Sequence, residues 1–292
     1  MRDFSKDLQW LSINTATVKM SKGKEFPLDQ IIDACVRRNI RAISPWRDQV
    51  TAVGIDRVAK LVRANNLALS GYCRGGMFTY SDDKGMLAAR EDNRRAVDEA
   101  AQLGATCLVL VVGGLPGALN GKAAHIDIAL SRQQVHDGIG ELLDYARSMR
   151  IPLAIEPLHP MYAADRSCVN TMRHALDICD ELDPNLSGSI GVAVDVYHVW
   201  WDPSLKQQIE RAGPKRLHAF HVCDWLTPTR DLLNDRGMMG DGVINIPMIR
   251  GWMEAQGYNG FSEVEIFSSG NWWQCDAETT LDVCIERHHA RV

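Results

Sequence analysis

Four short apolar runs in the second half of the chain each end on a side chain that can bind a metal or carry a proton. LAIE ends at Glu156, GVAVD at Asp195, LHAFH at His221 and SEVE at Glu265. A buried strand has no packing use for a charge at its end, so the repeat asks for a chemical reason. Three carboxylates and an imidazole gathered in a partly dry place repel one another unless a cation sits between them. The oxygen-rich donor set suits one divalent ion, manganese (Mn²⁺) before Mg²⁺ or Co²⁺, with Zn²⁺ also compatible. Taken singly, an Asp or a His at a strand end serves as often as a helix cap or a satisfied interior polar group. Four on successive runs favour a metal centre.

Such a centre needs a scaffold that delivers four strand ends to one place. Strands are predicted at Leu11–Thr17, Arg41–Ser44, Leu67–Tyr72, Cys107–Val112, Leu153–Glu156, Ser189–Asp195, Leu217–Val222 and Phe261–Ile266. Each is short and rich in aliphatic or aromatic side chains, as strands covered on both faces are. Helices are predicted at Leu28–Asn39, Ile55–Asn65, Gly85–Leu103, Leu130–Met149, Thr171–Leu182, Pro203–Ala212, Ile246–Gln256 and Thr279–His289. Their apolar residues recur at helical spacing; Pro203 suits a first turn and Gly257 a C-cap. Eight strands alternating with eight helices imply parallel βα units. The count, and the lack of any linker-like segment, favour a single (β/α)8 TIM barrel over residues 1–292. In such barrels the C-terminal strand ends form the reactive face. Parity agrees, since Ala154, Ala193 and Ala219 stand two residues before Glu156, Asp195 and His221. Small side chains suit the tapered interior below an inward polar group.

Composition narrows the function classes. The 292 residues are 46% hydrophobic and 24% charged, with a net charge of −5, so no basic footprint for nucleic acid is present. Eight cysteines are scattered without a C-x-x-C pair, as thiols acting as small hydrophobes would be. The opening MRDFSKDLQW has no apolar core of a signal peptide. No apolar run approaches the ~20 residues of a membrane span. The expectation is a cytoplasmic protein with no membrane partner. Neither a G-x-x-x-x-G-K-[ST] loop nor a G-x-G-x-x-G after the first strand occurs, so no nucleotide cofactor is implied.

In their order along the chain these motifs resemble the xylose-isomerase-like barrel superfamily, which includes sugar and sugar-phosphate isomerases and epimerases, inosose dehydratase and endonuclease IV. The likeness covers nearly the whole chain and is best in the second half. It rests on Glu156 in IEP, Asp195 and His198 in DVYH, His221 and Asp224 in HVCD, Glu265 in EVEIF, and the glycine turn GDGVIN at Gly240–Asn245. The resemblance implies a metal held by Glu156, Asp195, His221 and Glu265. It also implies that Glu156 and Glu265 share the acid and base roles and that His198 holds a substrate oxygen. The three-zinc cluster of endonuclease IV needs further histidines; LALSGYC and LVLVVGG hold none, and Gly237 stands where a third would. A nuclease is therefore not expected.

One metal suits removal of a proton from the carbon next to a carbonyl. The implied activity is a metal-dependent isomerase or epimerase of a ketose or keto-sugar. The alternative is a lyase, dehydrating an inosose or eliminating from a keto-glycoside with the same metal and glutamates. The implied partners are a small sugar or cyclitol and further copies of the chain, with a small partner subunit for the lyase. Ketose epimerases of the superfamily carry a substrate arginine about six residues beyond the metal histidine. Here Thr227 stands there, leaving Arg230 or Arg236 to substitute.

Other residues belong to the expected mouth. Trp46 could stack on a sugar face, and Arg47 and Arg74 could bind hydroxyls, a carboxylate or a phosphate, although arginines in such loops also pair with their neighbours. His159 in EPLHP, Asp224 and Arg230 complete the substrate-binding set. Trp200, Trp201, Trp225, Trp272 and Trp273 either cap the pocket or cover a subunit contact. His288 and His289, in the last helix, are expected to be solvated.

Overall fold

Parallel strands joined by helical crossovers close on themselves in chain order. The computed structural model describes Met1–Val292. The barrel strands are β1 (Leu11–Asn14), β2 (Ala42–Ser44), β3 (Ala68–Leu69 and Tyr72–Gly76), β4 (Leu108–Val111), β5 (Leu153–Ile155), β6 (Ile190–Asp195), β7 (Leu217–Val222) and β8 (Ser262–Val264). All of their ladders are parallel, and β8 returns to β1 with Ser262 beside Leu11. The two pieces of β3 pair with β2 and β4 respectively. Single bridges Trp46–Cys73 and Leu69–Ala105 carry each piece across to its other neighbour, which closes the circle.

The outer helices are α1 (Leu28–Arg37), α2 (Ile55–Ala64), α3 (Asp83–Leu103), α4 (Ile128–Met149), α5 (Met172–Leu182), α6 (Leu205–Arg216), α7 (Ile246–Ala255) and α8 (Ala277–Arg291). Three start earlier than their apolar pattern because an aspartate caps each: Asp82, Asp127 and Asp276 accept from amides of the first turn. Pro203 lies before α6 and not in its first turn; Ser204 precedes the helix, which breaks at Gly213 (φ 57°). β1 stops at Asn14 because that side chain accepts from the Ala16 amide and turns the chain into a 3-10 segment, Thr15–Val18.

A cluster of 68 buried residues fills the space between strands and helices. A separate, smaller cluster fills the barrel: Cys73, Cys107, Val109, Ala154, Ala193 and Ala219, with Trp46 packed on it. The small residues below the polar strand ends thus do meet inside. All eight cysteines are free thiols. No helix is long and apolar enough to cross a membrane. His288 departs from expectation. It is fully buried, its ring stacked 4.6 Å from Phe4, because the N-terminal segment folds back over α8.

Candidate metal centre

β5, β6, β7 and β8 bring Glu156, Asp195, His221 and Glu265 to one point. Each offers a donor atom within 4.8 Å of those of the other three, and all four residues are buried. Asp195 and His221 are register partners on adjacent strands. Glu156 and Glu265 extend the ladders by one step, their amides donating to Leu110 and Val222 carbonyls. His221 Nδ1 lies 3.0 Å from Glu156 Oε1 and 3.7 Å from Glu265 Oε2. On the ring's other side Nε2 faces Glu263 Oε1 at 3.5 Å, which is long for a hydrogen bond, and has no other partner.

Glu263 belongs to a second ring of polar groups just beneath. Ser70 Oγ donates to it at 2.8 Å, and Asn14 Nδ2 donates both to Glu263 (2.8 Å) and to Glu265 (2.9 Å). Trp46 Nε1 fixes Asn14 by donating to its Oδ1 at 2.7 Å. A counter-charge that the sequence reading lacked is also present. Arg236 Nη1 sits 2.8 Å from Asp195 Oδ2 and 3.0 Å from Glu265 Oε2, its guanidinium lying over the rings of Tyr197 and Phe267.

One guanidinium facing the carboxylates of Glu156, Asp195, Glu263 and Glu265 still leaves the group strongly negative. Burial disfavours a charged His221, yet Glu263, Glu156 and Glu265 outweigh it and hold its ionisation well above the ordinary range. Burial pushes the Glu265 carboxyl well up; Arg236 pulls against this and Glu156 adds to it. The centre's demand for positive charge is one that a divalent cation meets. Three carboxylate oxygens and one imidazole nitrogen, the latter backed by a further carboxylate, make a donor set that fits such an ion.

His198 reaches the centre from the short helix Val196–Val199, which Asp195 itself caps by accepting from the Tyr197 amide. One helical turn therefore sets His198 beside Asp195, with Nε2 3.6 Å from Oδ2. The His159 amide donates to His198 Nδ1 at 3.2 Å, while Arg236 Nη2 approaches Nε2 at 3.1 Å. Burial, helped by Arg236, lowers the His198 pKa to about 3 although Asp195 opposes the shift, so the ring is neutral near pH 7.

A cavity of about 320 Å³ opens over the group, lined by Glu156, Glu265, His198, Arg236, Trp46 and Phe267 among others. Asp195 and His221 do not line it; they stand behind the two glutamates. The remaining expected residues lie elsewhere. Arg47 turns outward to Asp92 (2.9 Å) and Glu99 (2.8 Å) on α3. His159 caps a 3-10 turn and stacks on Trp225, outside the cavity lining. Arg230 is exposed and pairs with Asp235 at 2.7 Å.

Asp224 is fully buried and accepts from the Trp225, Gly240 and Ile244 amides, pinning the glycine turn. Gly242 is needed there, since a Cβ would stand 2.2 Å from the Trp225 carbonyl. Of the two guanidiniums left by Thr227, Arg236 is the one that points inward. Glu263 and Asn14 were missed as members of the centre, although Glu263 shares the parity of Glu265 and Asn14 ends a strand.

A closed parallel barrel with an acidic and imidazole group at its C-terminal mouth defines a TIM barrel with a candidate metal centre. The chain belongs to the xylose isomerase-like TIM barrel family, whose model matches residues 31–286. The protein SMc04130 from Sinorhizobium meliloti is 52% identical, with 96% of this chain and 98% of that one covered and a TM-score of 0.90. Two more distant structures share the fold. A zinc-bound IolI protein is 18% identical, with 95% and 96% covered and a TM-score of 0.77. A D-psicose 3-epimerase from Clostridium cellulolyticum H10, solved with D-tagatose, is 14% identical, with 94% and 98% covered and a TM-score of 0.69. No functionally curated protein matches the sequence.

Proposed function

We propose that this chain is a divalent-metal-dependent isomerase or epimerase that moves a proton on the carbon next to a carbonyl of a ketose or keto-sugar. The observation that carries the reading is the division of labour among the four donors: Glu156 and Glu265 line the cavity, whereas Asp195 and His221 stand behind them. Asp195 and His221 then serve to hold a divalent ion, Mn²⁺ by preference, and the glutamates serve both the ion and the substrate. When bound, such an ion supplies Lewis-acid polarisation of the carbonyl, so that the neighbouring C–H becomes acidic.

The protein's own groups do the rest. One glutamate removes the proton and the other returns it from the opposite side. His198, neutral near pH 7, lines the cavity beside the Arg236 guanidinium and is placed to hold a substrate oxygen. Trp46 and Phe267 supply the apolar face against which a sugar's C–H edge can lie. The relatives named above as an epimerase and a zinc-bound protein favour this reading.

A lyase that starts with the same proton removal is the second reading. It is favoured by Thr227, which stands where ketose epimerases carry their substrate arginine.

The test is incubation of the Mn²⁺-loaded protein in D₂O with a panel of keto-sugars and keto-inositols. We expect deuterium at the carbon next to the carbonyl, and a loss of roughly a hundred-fold or more in exchange rate for Glu156→Gln. A product lighter by one water selects the lyase. No exchange across the panel would refute both readings.

A further inference from the structure

We propose that the rim of this cavity is an oxyanion subsite built on Arg74 and Arg166, and that the substrate carries a phosphate or carboxylate at the end remote from the reacting carbon. The placement of the reacting carbon rests on the function proposed above; the subsite stands on separate observations.

Arg74 is the extra residue where β3 slips against β4, Cys73 lying opposite Val109 and Gly75 opposite Leu110. Such bulges re-aim a side chain, and this one lines the cavity above Glu156 and Glu265. Its guanidinium, half-buried, makes no hydrogen bond or ion pair with any protein group. Every other arginine that is not exposed has a carboxylate or carbonyl partner. A cation taken partly out of water without a partner costs free energy, and the missing partner is supplied if a ligand anion binds there.

Arg166 faces the same space from the loop after β5. It lies 5.4 Å from the centre of the Tyr162 ring, with Asp165 as its nearest carboxylate at 3.5 Å. Burial lowers the Arg74 pKa, and the like charge of Arg166 adds to this, as expected of two guanidiniums sharing one volume. Otherwise the rim offers Met77, Val111, Leu119 and Leu233, which satisfy no polar group of a ligand. Guanidiniums are the side chains that grip phosphate and carboxylate in two-pronged fashion. About 320 Å³ is at the small end of ligand pockets and suits a short sugar with one such group.

Two experiments separate this proposal from the catalytic one. In the first, protein stripped of metal with EDTA is titrated calorimetrically with inorganic phosphate and, separately, with acetate. Wild type should bind at least one of them, and which one decides between phosphate and carboxylate. Arg74→Ala should weaken binding at least ten-fold, and Arg74→Lys should retain part of it. In the second, Mn²⁺-loaded protein in D₂O is given a ketose, its terminal phosphate ester and the matching terminal carboxylate. One anionic form should show a KM at least ten-fold below that of the neutral ketose, and Arg74→Ala should abolish the discrimination. Equal anion affinity in wild type and Arg74→Ala, no binding of either anion to wild type, or equal KM values would overturn the subsite. Anion binding through Arg74 with no exchange on any ketose would uphold the subsite and refute the catalytic reading.

Discussion

Glu263 reaches His221 from below, and Ser70 and Asn14 hold it there. A carboxylate behind a metal-binding imidazole fixes ring orientation and raises its basicity, and loss of such a partner typically costs about 10–100-fold in metal affinity. Glu263→Gln should therefore weaken Mn²⁺ binding by that order while the circular dichroism spectrum stays unchanged; calorimetry would show it, and an unaltered affinity would remove Glu263 from the account. Arg236 poses the opposite case, since it bonds two of the groups that would hold the ion. Removing one partner of a buried ion pair costs about 3–5 kcal/mol. Arg236→Met should lower the melting temperature of the metal-free protein, and added Mn²⁺ should raise it by more than in wild type. An equal rise in both proteins would show that the guanidinium and the ion do not share ligands.

The four inward donors were legible in the sequence because each interrupts an apolar run at its end. Glu263 shows the same parity but hides within the run. Arg236 lies in a two-residue strand paired with Asp224–Trp225, too short for any periodicity to tell which way a side chain turns. Arg47 follows a strand as an active-site arginine would, yet Asp92 and Glu99 on α3 draw it outward, a pairing visible only once the helix is placed.

At the scale of elements, helix centres and strand cores follow from apolar spacing, and boundaries follow from side chains that the spacing does not count. Asp82, Asp127 and Asp276 each move a helix start by capping it. The prediction of a third strand from Leu67 to Tyr72 stops short of Gly76, because the bulge at Arg74 breaks the alternation that marks a strand. The last helix taught a similar lesson. His288 reads as solvated until Phe4, distant in sequence, stacks on it, with the Arg250 guanidinium lying in turn over the Phe4 ring.

Neither ring nitrogen of His288 has a hydrogen-bond partner, and burial lowers its pKa to about 3. An unfolded chain takes up this proton near pH 6.5. Between these values the unfolded state binds more protons, so stability falls as the pH drops from about 6.5 toward about 3. His288→Leu should flatten that acid-side loss in urea titrations at pH 7 and pH 5, with little change at pH 7. An unchanged pH dependence would assign the acid sensitivity to other groups.

For the molecule as a whole, the barrel closes by pairing β8 with β1, and the candidate metal ligands come from four adjacent strands of its second half. A ligand that binds only the folded state at 100 times its Kd stabilises it by about 2.7 kcal/mol. For a chain of this size that corresponds to a rise of roughly 5 °C in Tm. Saturating Mn²⁺ should produce such a rise, EDTA should reverse it, and Glu265→Gln should suppress it.

The most direct test is an equilibrium titration of the reconstituted protein with Mn²⁺. One ion should bind per chain, with Asp195→Asn reducing the affinity by orders of magnitude. A reconstituted protein that stays empty, or an Asp195→Asn variant that binds Mn²⁺ as tightly as wild type, would contradict the proposed metal centre.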